Sequence, residues 1–236
     1  MTALNDRSIS ILLIGSGRLA KHLFYWNSLL EKPNQILTWD RSQDPHLLNK
    51  FLNQTTVVWL AISDTAIVPF FEKYLVGHDH KVVHFSGALN DTRLISAHPM
   101  MSFPQELMSD SAYADIGFGV TGVSDLSSVL PGFKNSFFVV AAENKALYHS
   151  LCVVAGNFPQ LLWVETEKKF LELQVPESAF RTYITQILNN YLALKEKSLT
   201  GPLIRKDLAT VEKNENALSG SKLKSIYHAF VKEFMP

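Results

Sequence analysis

The sequence has little cysteine, no surplus of charge of either sign and no long apolar run, and each shortage removes a class of protein. Among 236 residues there is one cysteine, Cys152. A single thiol cannot close a disulfide within the chain or build a Cys-rich zinc site. Cys152 lies in the apolar run Leu151-Cys152-Val153-Val154-Ala155, where a small buried hydrophobe is expected rather than a reactive thiol. Lysine plus arginine number 22, as do aspartate plus glutamate. A balanced chain has no bulk electrostatic reason to bind nucleic acid or an anionic membrane, and no local basic cluster supplies one. No apolar run approaches a membrane span, and the polar lead Met1 to Ser8 lacks the regions of a secretion signal. The expectation is a cytoplasmic protein with neither nucleic acid nor membrane as partner. No His-Glu-x-x-His or comparable spacing occurs, so no metal is expected.

What is present is material for a core. Apolar residues make up 47% of the chain and charged residues 19%, enough to fold. Ile9 to Ile14 is a short apolar run ending at Gly15, which predicts a buried strand. Arg18 to Leu30 places Leu19, Leu23, Trp26 and Leu30 at helical spacing. A second strand, Gln35 to Trp39, is followed by the polar stretch Asp40 to Asp44 and a helix over Pro45 to Leu52. Thr56 to Ile62 predicts a central strand, with a helix after it, capped by Ser63 or Asp64 and reaching about Leu75. Lys81 to Phe85 predicts a fourth strand, and further strand-like runs follow at Leu94 to Ala97, Gly117 to Thr121 and Ser136 to Ala141.

After residue 142 only helical patterns remain. They are Asn144 to Trp163, with a kink at Pro159, then Ser178 to Lys195, Leu203 to Leu218 and Lys222 to Phe234. The predicted fold is therefore α/β: a doubly wound, mostly parallel sheet over residues 1–142, then an all-helical domain over 143–236.

Gly15-Ser16-Gly17-Arg18-Leu19-Ala20 fits G-x-G-x-x-A. The first glycine allows a tight strand-to-helix turn, and the second lets backbone approach a pyrophosphate. The small third residue lets helix and strand pack closely. Alone the pattern is weak. Between a strand and a helix in a β-α-β-α-β run it predicts a Rossmann-type dinucleotide site made by Gly15, Ser16, Gly17, Arg18 and Leu19. A tight turn with no ligand is the alternative.

Cofactor choice rests on Trp39-Asp40-Arg41-Ser42. A carboxylate there suits the ribose hydroxyls of NAD, whereas Arg41 and Ser42 suit the 2′-phosphate of NADP. With Arg18 adding a second positive charge, the balance leans to NADP(H), NAD(H) remaining open. Asp40 has the alternative of capping its own turn, and Arg41 that of a solvated loop residue. Ile62, Ser63 and Asp64 end the third strand at the ligand edge, where they are expected beside the cofactor, with a helix cap as the alternative for Asp64.

Three further segments complete a pattern. They are His84-Phe85-Ser86-Gly87-Ala88-Leu89 with Ala97-His98-Pro99-Met100; Glu143 to His149; and Ser198 to Asp207. With the glycine turn they resemble the bacterial family of Rossmann-like proteins carrying the C-terminal domain of unknown function 2520. Residues 123–135 depart from that resemblance, because a helix before the last strand is shortened there to a loop. The resemblance implies a two-domain protein like those of the 6-phosphogluconate dehydrogenase superfamily, with an all-helical second domain that often dimerises, and an NADP-dependent oxidoreductase of unassigned substrate.

Ser86 and Gly87 follow the fourth strand, where a hydroxyl and an N–H suit a substrate carboxylate or carbonyl. His98-Pro99-Met100 is similar to a run in prephenate dehydrogenases, and that resemblance implies a histidine working on a substrate hydroxyl; His98 is the expected acid/base. The alternative is a histidine held structurally. Lys145 matches only loosely the catalytic lysine that related superfamily enzymes carry on the helix entering the second domain. His149 shares its face, and Asn157 lies two turns beyond His149 and rotated from it. Surface exposure or interdomain packing is the alternative for these residues.

Thr200-Gly201-Pro202 is expected to open a helix whose N-terminus holds an anionic substrate group, with Arg205 and Asp207 in its first turns. An ordinary helix connection is the alternative. The leading expectation is NADP(H)-dependent oxidation or reduction of a small polar carbonyl or carbinol compound in an interdomain cleft. A non-catalytic NAD(P)-binding sensor or scaffold and a prephenate-dehydrogenase-like enzyme are the alternatives. Phe170, Phe180, Tyr183, Ile187, Leu188, Tyr191, Tyr227 and Phe230 predict a homodimer through the helical region, closure of these residues against the nucleotide domain being the alternative.

Overall fold

Strand β1 (Ser10–Ile14) buries Ile11 to Ile14 completely, as its unbroken apolar run demands. The computed structural model describes residues 10–235. The polar lead and Ile9 lie outside the described residues. After β1 come α1 (Arg18–Ser28), β2 (Gln35–Trp39), α2 (Pro45–Leu52), β3 (Val57–Leu60), α3 (Asp64–Tyr74), β4 (Lys81–His84) and β5 (Ile95–Pro99). Then follow α4 (Asp110–Ala114), β6 (Phe118–Thr121) and β7 (Phe137–Val139).

The strands form one sheet in the order β2-β1-β3-β4-β5-β6-β7. All neighbours are parallel except β5 and β6, which pair antiparallel. The sheet is thus mostly parallel, with helices on both faces. The chain leaves β1 towards β2 on one side and continues from β3 on the other. This reversal opens a crevice at the carboxyl ends of β1 and β3.

The crossover from β4 to β5, residues 85–94, contains no helix. Neither does the connection from β6 to β7, the region that departs from the family resemblance. There Leu126, Val129, Leu130 and Phe133 are buried in place of a helix, and Trp59 Nε1–H donates to the Val129 carbonyl at 2.9 Å.

The chain divides into two compact units, Met1–Val153 and Val154–Pro236. Helix α5 (Lys145–Cys152) therefore counts with the sheet unit. The helical stretch expected to end at Trp163 instead passes through a π turn at Val153–Asn157 and continues as α6 (Phe158–Glu172). Proline at 159 lacks an N–H and crowds the carbonyl four residues back, which the wider π turn relieves. The polar tract beyond Trp163 stays helical with the support of the Glu165–Lys168 and Lys169–Glu172 pairs.

The second unit continues with α7 (Glu177–Leu194), α8 (Pro202–Arg205), α9 (Leu208–Ala217) and α10 (Lys222–Phe234). The single helix expected over Leu203 to Leu218 is two. Lys206 takes a left-handed conformation at φ 56°, and Asp207 starts α9 by accepting from Thr210 N–H at 3.1 Å and Thr210 Oγ1–H at 2.7 Å. Among the described residues no helix is long and apolar enough to cross a membrane.

Candidate functional site

At Gly15 the backbone has φ +119°, and an added Cβ would lie 2.4 Å from the Ala61 carbonyl oxygen. Only glycine lets β1 turn this close to the end of β3. Gly17 is different. It is the extended N-cap of α1 at φ −73°, and a Cβ there would meet nothing within 4 Å. No side chain caps α1 and no acidic residue lies in its first turn, so its free N–H groups meet an open, uncompensated space.

That space is a cleft of about 730 Å³. Gly15, Ser16, Gly17, Arg18 and Leu19 line it, with Asp40 and Arg41 at the end of β2 and Ile62 and Ser63 at the end of β3. Pro69, Phe70, Lys73 and Tyr74 form one face of α3 along the same cleft. Sequence reading missed that face, although its spacing on the helix after a ligand-edge strand is a usable signal.

Asp40 has taken the turn-capping alternative. Its Oδ1 accepts from Ser42 N–H at 2.8 Å and Ser42 Oγ–H at 2.5 Å. These bonds, with help from the Ser16 hydroxyl and Arg41, hold its carboxyl below the usual range. The Ser42 hydroxyl proton is thereby committed to Asp40. Arg18 is partly committed too, because its guanidinium donates to the Phe103 carbonyl at 3.2 Å. Arg41 is exposed and lines the cleft together with Lys73.

A second cluster occupies the same sheet edge one strand further on. Ser63 is the N-cap of α3 but makes no side-chain cap bond. Asp64 does not cap either; its Oδ2 accepts the Ser86 hydroxyl at 2.5 Å. Ser86 Oγ in turn accepts Leu89 N–H at 3.0 Å, and Ser86 N–H donates to His84 Nδ1 at 3.2 Å. The loop after β4 is thus tied to the first residue of α3.

Lys145 is only 2% exposed, which excludes the surface alternative. Its Nζ donates to Ser96 Oγ at 2.6 Å and to the Ser86 carbonyl at 3.3 Å. Burial lowers its pKa to about 8, opposed by the Asp64 carboxylate. His84 and His98 are both lowered to about 4, chiefly by burial. Cationic neighbours add to this: Lys145 for His84, and His149 with Lys145 for His98.

His98 Nδ1 lies 2.8 Å from Tyr148 Oη, and its ring centroid is 6.1 Å from that of His149. Two glycines make room for these rings. A Cβ at Gly87 would be 2.5 Å from His149 Cδ2 and 3.1 Å from His98 Nε2; one at Gly119 would be 3.0 Å from Tyr148 Oη.

Ser86, Gly87, His98, Lys145 and His149 are therefore brought together as the sequence suggested. Tyr148, Ser96 and His84 were missed. Tyr148 lay open to detection, three residues after Lys145 and so on the same face of α5. Cys152 is half-buried, not buried as expected, and ends α5 beside the Tyr148 phenol. Asn157, Thr200, Gly201 and Pro202 belong to the second unit. Asn157 is exposed in the π turn. Gly201 has φ 101°, and Pro202 opens a helix of four residues, too short to sum a useful dipole. Asp207 is used as a cap. Among the described residues no group of three or more His, Cys, Asp or Glu side chains is placed to hold a metal ion.

Strand order, the glycine turn and the crevice beside it make this a Rossmann-type α/β chain followed by a helical unit. Residues 119–234 match the family model described as a domain of unknown function, DUF2520, in keeping with the resemblance stated from the sequence. No curated protein matches the sequence. Among solved structures, the fold is similar to a provisionally named NADP oxidoreductase from Bacteroides fragilis, with TM-score 0.75 and 15% identity over 97% of this chain and 98% of that one. A protein from Thermotoga maritima aligns with TM-score 0.70 and 23% identity over 94% and 95% of the two chains. A pyrroline carboxylate reductase from Plasmodium falciparum with NADP bound aligns with TM-score 0.59 and 10% identity over 96% and 97%. At these identities the likeness establishes the fold.

Proposed function

We propose that the chain is an NAD(P)-dependent oxidoreductase, with NADP(H) preferred, acting on a small polar carbonyl or carbinol compound. The observation that carries this reading is the buried Lys145 amine, with its pKa lowered to about 8, on the same sheet edge as the glycine-turn cleft. NADP, named for both the Bacteroides and the Plasmodium neighbours, supports the cofactor class.

The residues present fit a dinucleotide. The open N-terminus of α1 at Gly17 suits the pyrophosphate. Arg41 and Lys73 suit a 2′-phosphate, against which the ionised Asp40 is the opposing charge. Bound there, the cofactor supplies or accepts a hydride. In the reducing direction the substrate carbon gains that hydride and its oxygen needs a proton. The Lys145 ammonium gives this proton, and in the oxidising direction the neutral amine takes it back. Its pKa lies near physiological pH, where an acid/base group works best. Ser96 and Ser86 use two of its three N–H groups; the third is left for a substrate oxygen. His98, neutral down to about pH 4, is a poorer store for that proton than Lys145.

The test is a panel of small carbonyl and carbinol compounds, each followed with NADPH or NADP⁺ at the absorbance of the reduced nicotinamide. Turnover of one compound supports the proposal. Cofactor binding without turnover across the panel points to a binding protein, and no cofactor binding at all ends the reading.

A further inference from the structure

His98 is placed so that only one of its two ring nitrogens is open. Nδ1 is 2.8 Å from Tyr148 Oη, and the two rings meet edge-on at 84°. Nε2 makes no hydrogen bond among the described residues. The one buried side-chain polar atom left without a partner among them is His80 Nδ1, so His98 Nε2 reaches accessible space. The ring edge carrying Nε2 packs over Gly87, so close that a methyl group there would come within 3.1 Å of Nε2.

A neutral imidazole carries one proton, and the partner of one nitrogen decides where it sits. Two arrangements satisfy the bond to Tyr148. In one, the phenol O–H donates to Nδ1 and the ring proton is on Nε2. In the other, Nδ1–H donates to the phenol oxygen, and the phenol proton must find a different acceptor. The other group beside that phenol is the Cys152 thiol, and sulfur is a weak acceptor. An imidazole nitrogen is a far better one, so the first arrangement prevails.

We propose that Tyr148 is a positioning residue that holds His98 as the Nε2–H tautomer, so that His98 presents a neutral N–H donor at its accessible Nε2 edge. This deepens the oxidoreductase reading and rests on it for its use: a neutral N–H donor holds a substrate oxygen as negative charge grows on it, while Lys145 supplies the proton. The role differs from the acid/base expected of His98 from the sequence.

The groups around the ring favour its neutral form. Lys145, Tyr148 and His149 face it from α5, and His84 approaches from β4. Asp64 at the start of α3 is the one acidic neighbour and opposes them. Burial acts in the same direction as the cations, and the ring stays uncharged down to about pH 4.

The experiment is long-range proton–nitrogen correlation NMR on uniformly 15N-labelled protein, with no cofactor or substrate added. The His98 signals are assigned by their loss in His98→Gln. The expected wild-type spectrum shows Nδ1 with the shift of an acceptor nitrogen and Nε2 with that of a protonated one. Both shifts should persist as the pH falls from neutrality towards the ring's pKa of about 4. In Tyr148→Phe, with folding checked by circular dichroism, the two shifts should move towards each other as tautomers mix, and the ring should titrate at higher pH. A wild-type spectrum with Nδ1 protonated overturns the proposal, and so does a folded Tyr148→Phe protein with unchanged shifts and titration. Neither outcome depends on turnover, so failure here is distinct from failure of the substrate screen.

Discussion

At Gly15 a methyl group would sit 2.4 Å from a carbonyl oxygen on a backbone of positive φ, whereas at Gly17 it would touch nothing within 4 Å. The two glycines of one turn should therefore fail differently. Gly15→Ala forces a side chain into strain of about 1–3 kcal/mol, read as a lower Tm. Gly17→Val should leave Tm nearly unchanged and abolish affinity for NADPH and NADH in calorimetric titration, because the side chain fills the space at the N-terminus of α1. Unchanged affinity would remove the cofactor from this turn. Two residues at the end of β2 pull cofactor choice in opposite directions. If Arg41 pairs with a 2′-phosphate, Arg41→Ala weakens NADP(H) by about 1.5–3 kcal/mol and leaves NAD(H) almost untouched. Equal weakening of both, or a wild-type preference for NADH, would show that the Asp40 carboxylate decides instead.

Among the elements, β4 and β5 carry the two depressed histidines, and this sets a pH dependence. In the unfolded chain both rings titrate near their ordinary value of 6.5, and in the folded chain near 4. Between those values the unfolded chain binds protons that the folded one refuses, so stability is full above about pH 6.5 and falls as the pH drops towards 4. The urea midpoint should decline across that window, and His98→Gln should flatten part of the decline. A midpoint flat across the window would mean that the rings are not buried in neutral form. The strands around them were legible because apolar, β-branched runs between turns are a local signal. The break between α8 and α9 was not, since Lys206 is a residue type that rarely takes a left-handed conformation. Nor was the environment of Lys145: a lysine on a helix reads as solvated until the sheet that buries it is in place. The Asp64–Ser86 bond joins residues 22 positions apart, a distance that local pattern does not bridge.

For the molecule as a whole, the second unit has a surplus of uncovered apolar surface. Helix α6 buries none of its residues and α7 buries only Phe180. Tyr183, Ile187, Leu188, Tyr191 and Leu192 on α7 are each about half exposed or more. An isolated helix in water is marginal, and helices in proteins owe most of their stability to a packed apolar face. A contiguous exposed patch of this kind marks an interface. We propose that a second copy of the chain covers it. Light scattering at about micromolar concentration, in the range where a standard interface holds, should give twice the mass of the chain; a monomer mass would remove the proposal. Tyr183→Glu combined with Ile187→Glu should then lower the mass to that of one chain.

The aromatic wall of the cleft also makes the protein its own optical reporter. Of the four tryptophans, Trp26, Trp39 and Trp59 are core residues, and Trp163 lies in the second unit. Trp39 alone lines the glycine-turn cleft, with its indole N–H held by the Asp44 carbonyl at 3.2 Å. The oxidised cofactor does not absorb where indole emits, so it quenches only on contact. Adding NADP⁺ should therefore dim a single emitter, and Trp39→Phe should silence the response while the remaining emission persists. A response that survives this substitution would place the nucleotide away from the end of β2.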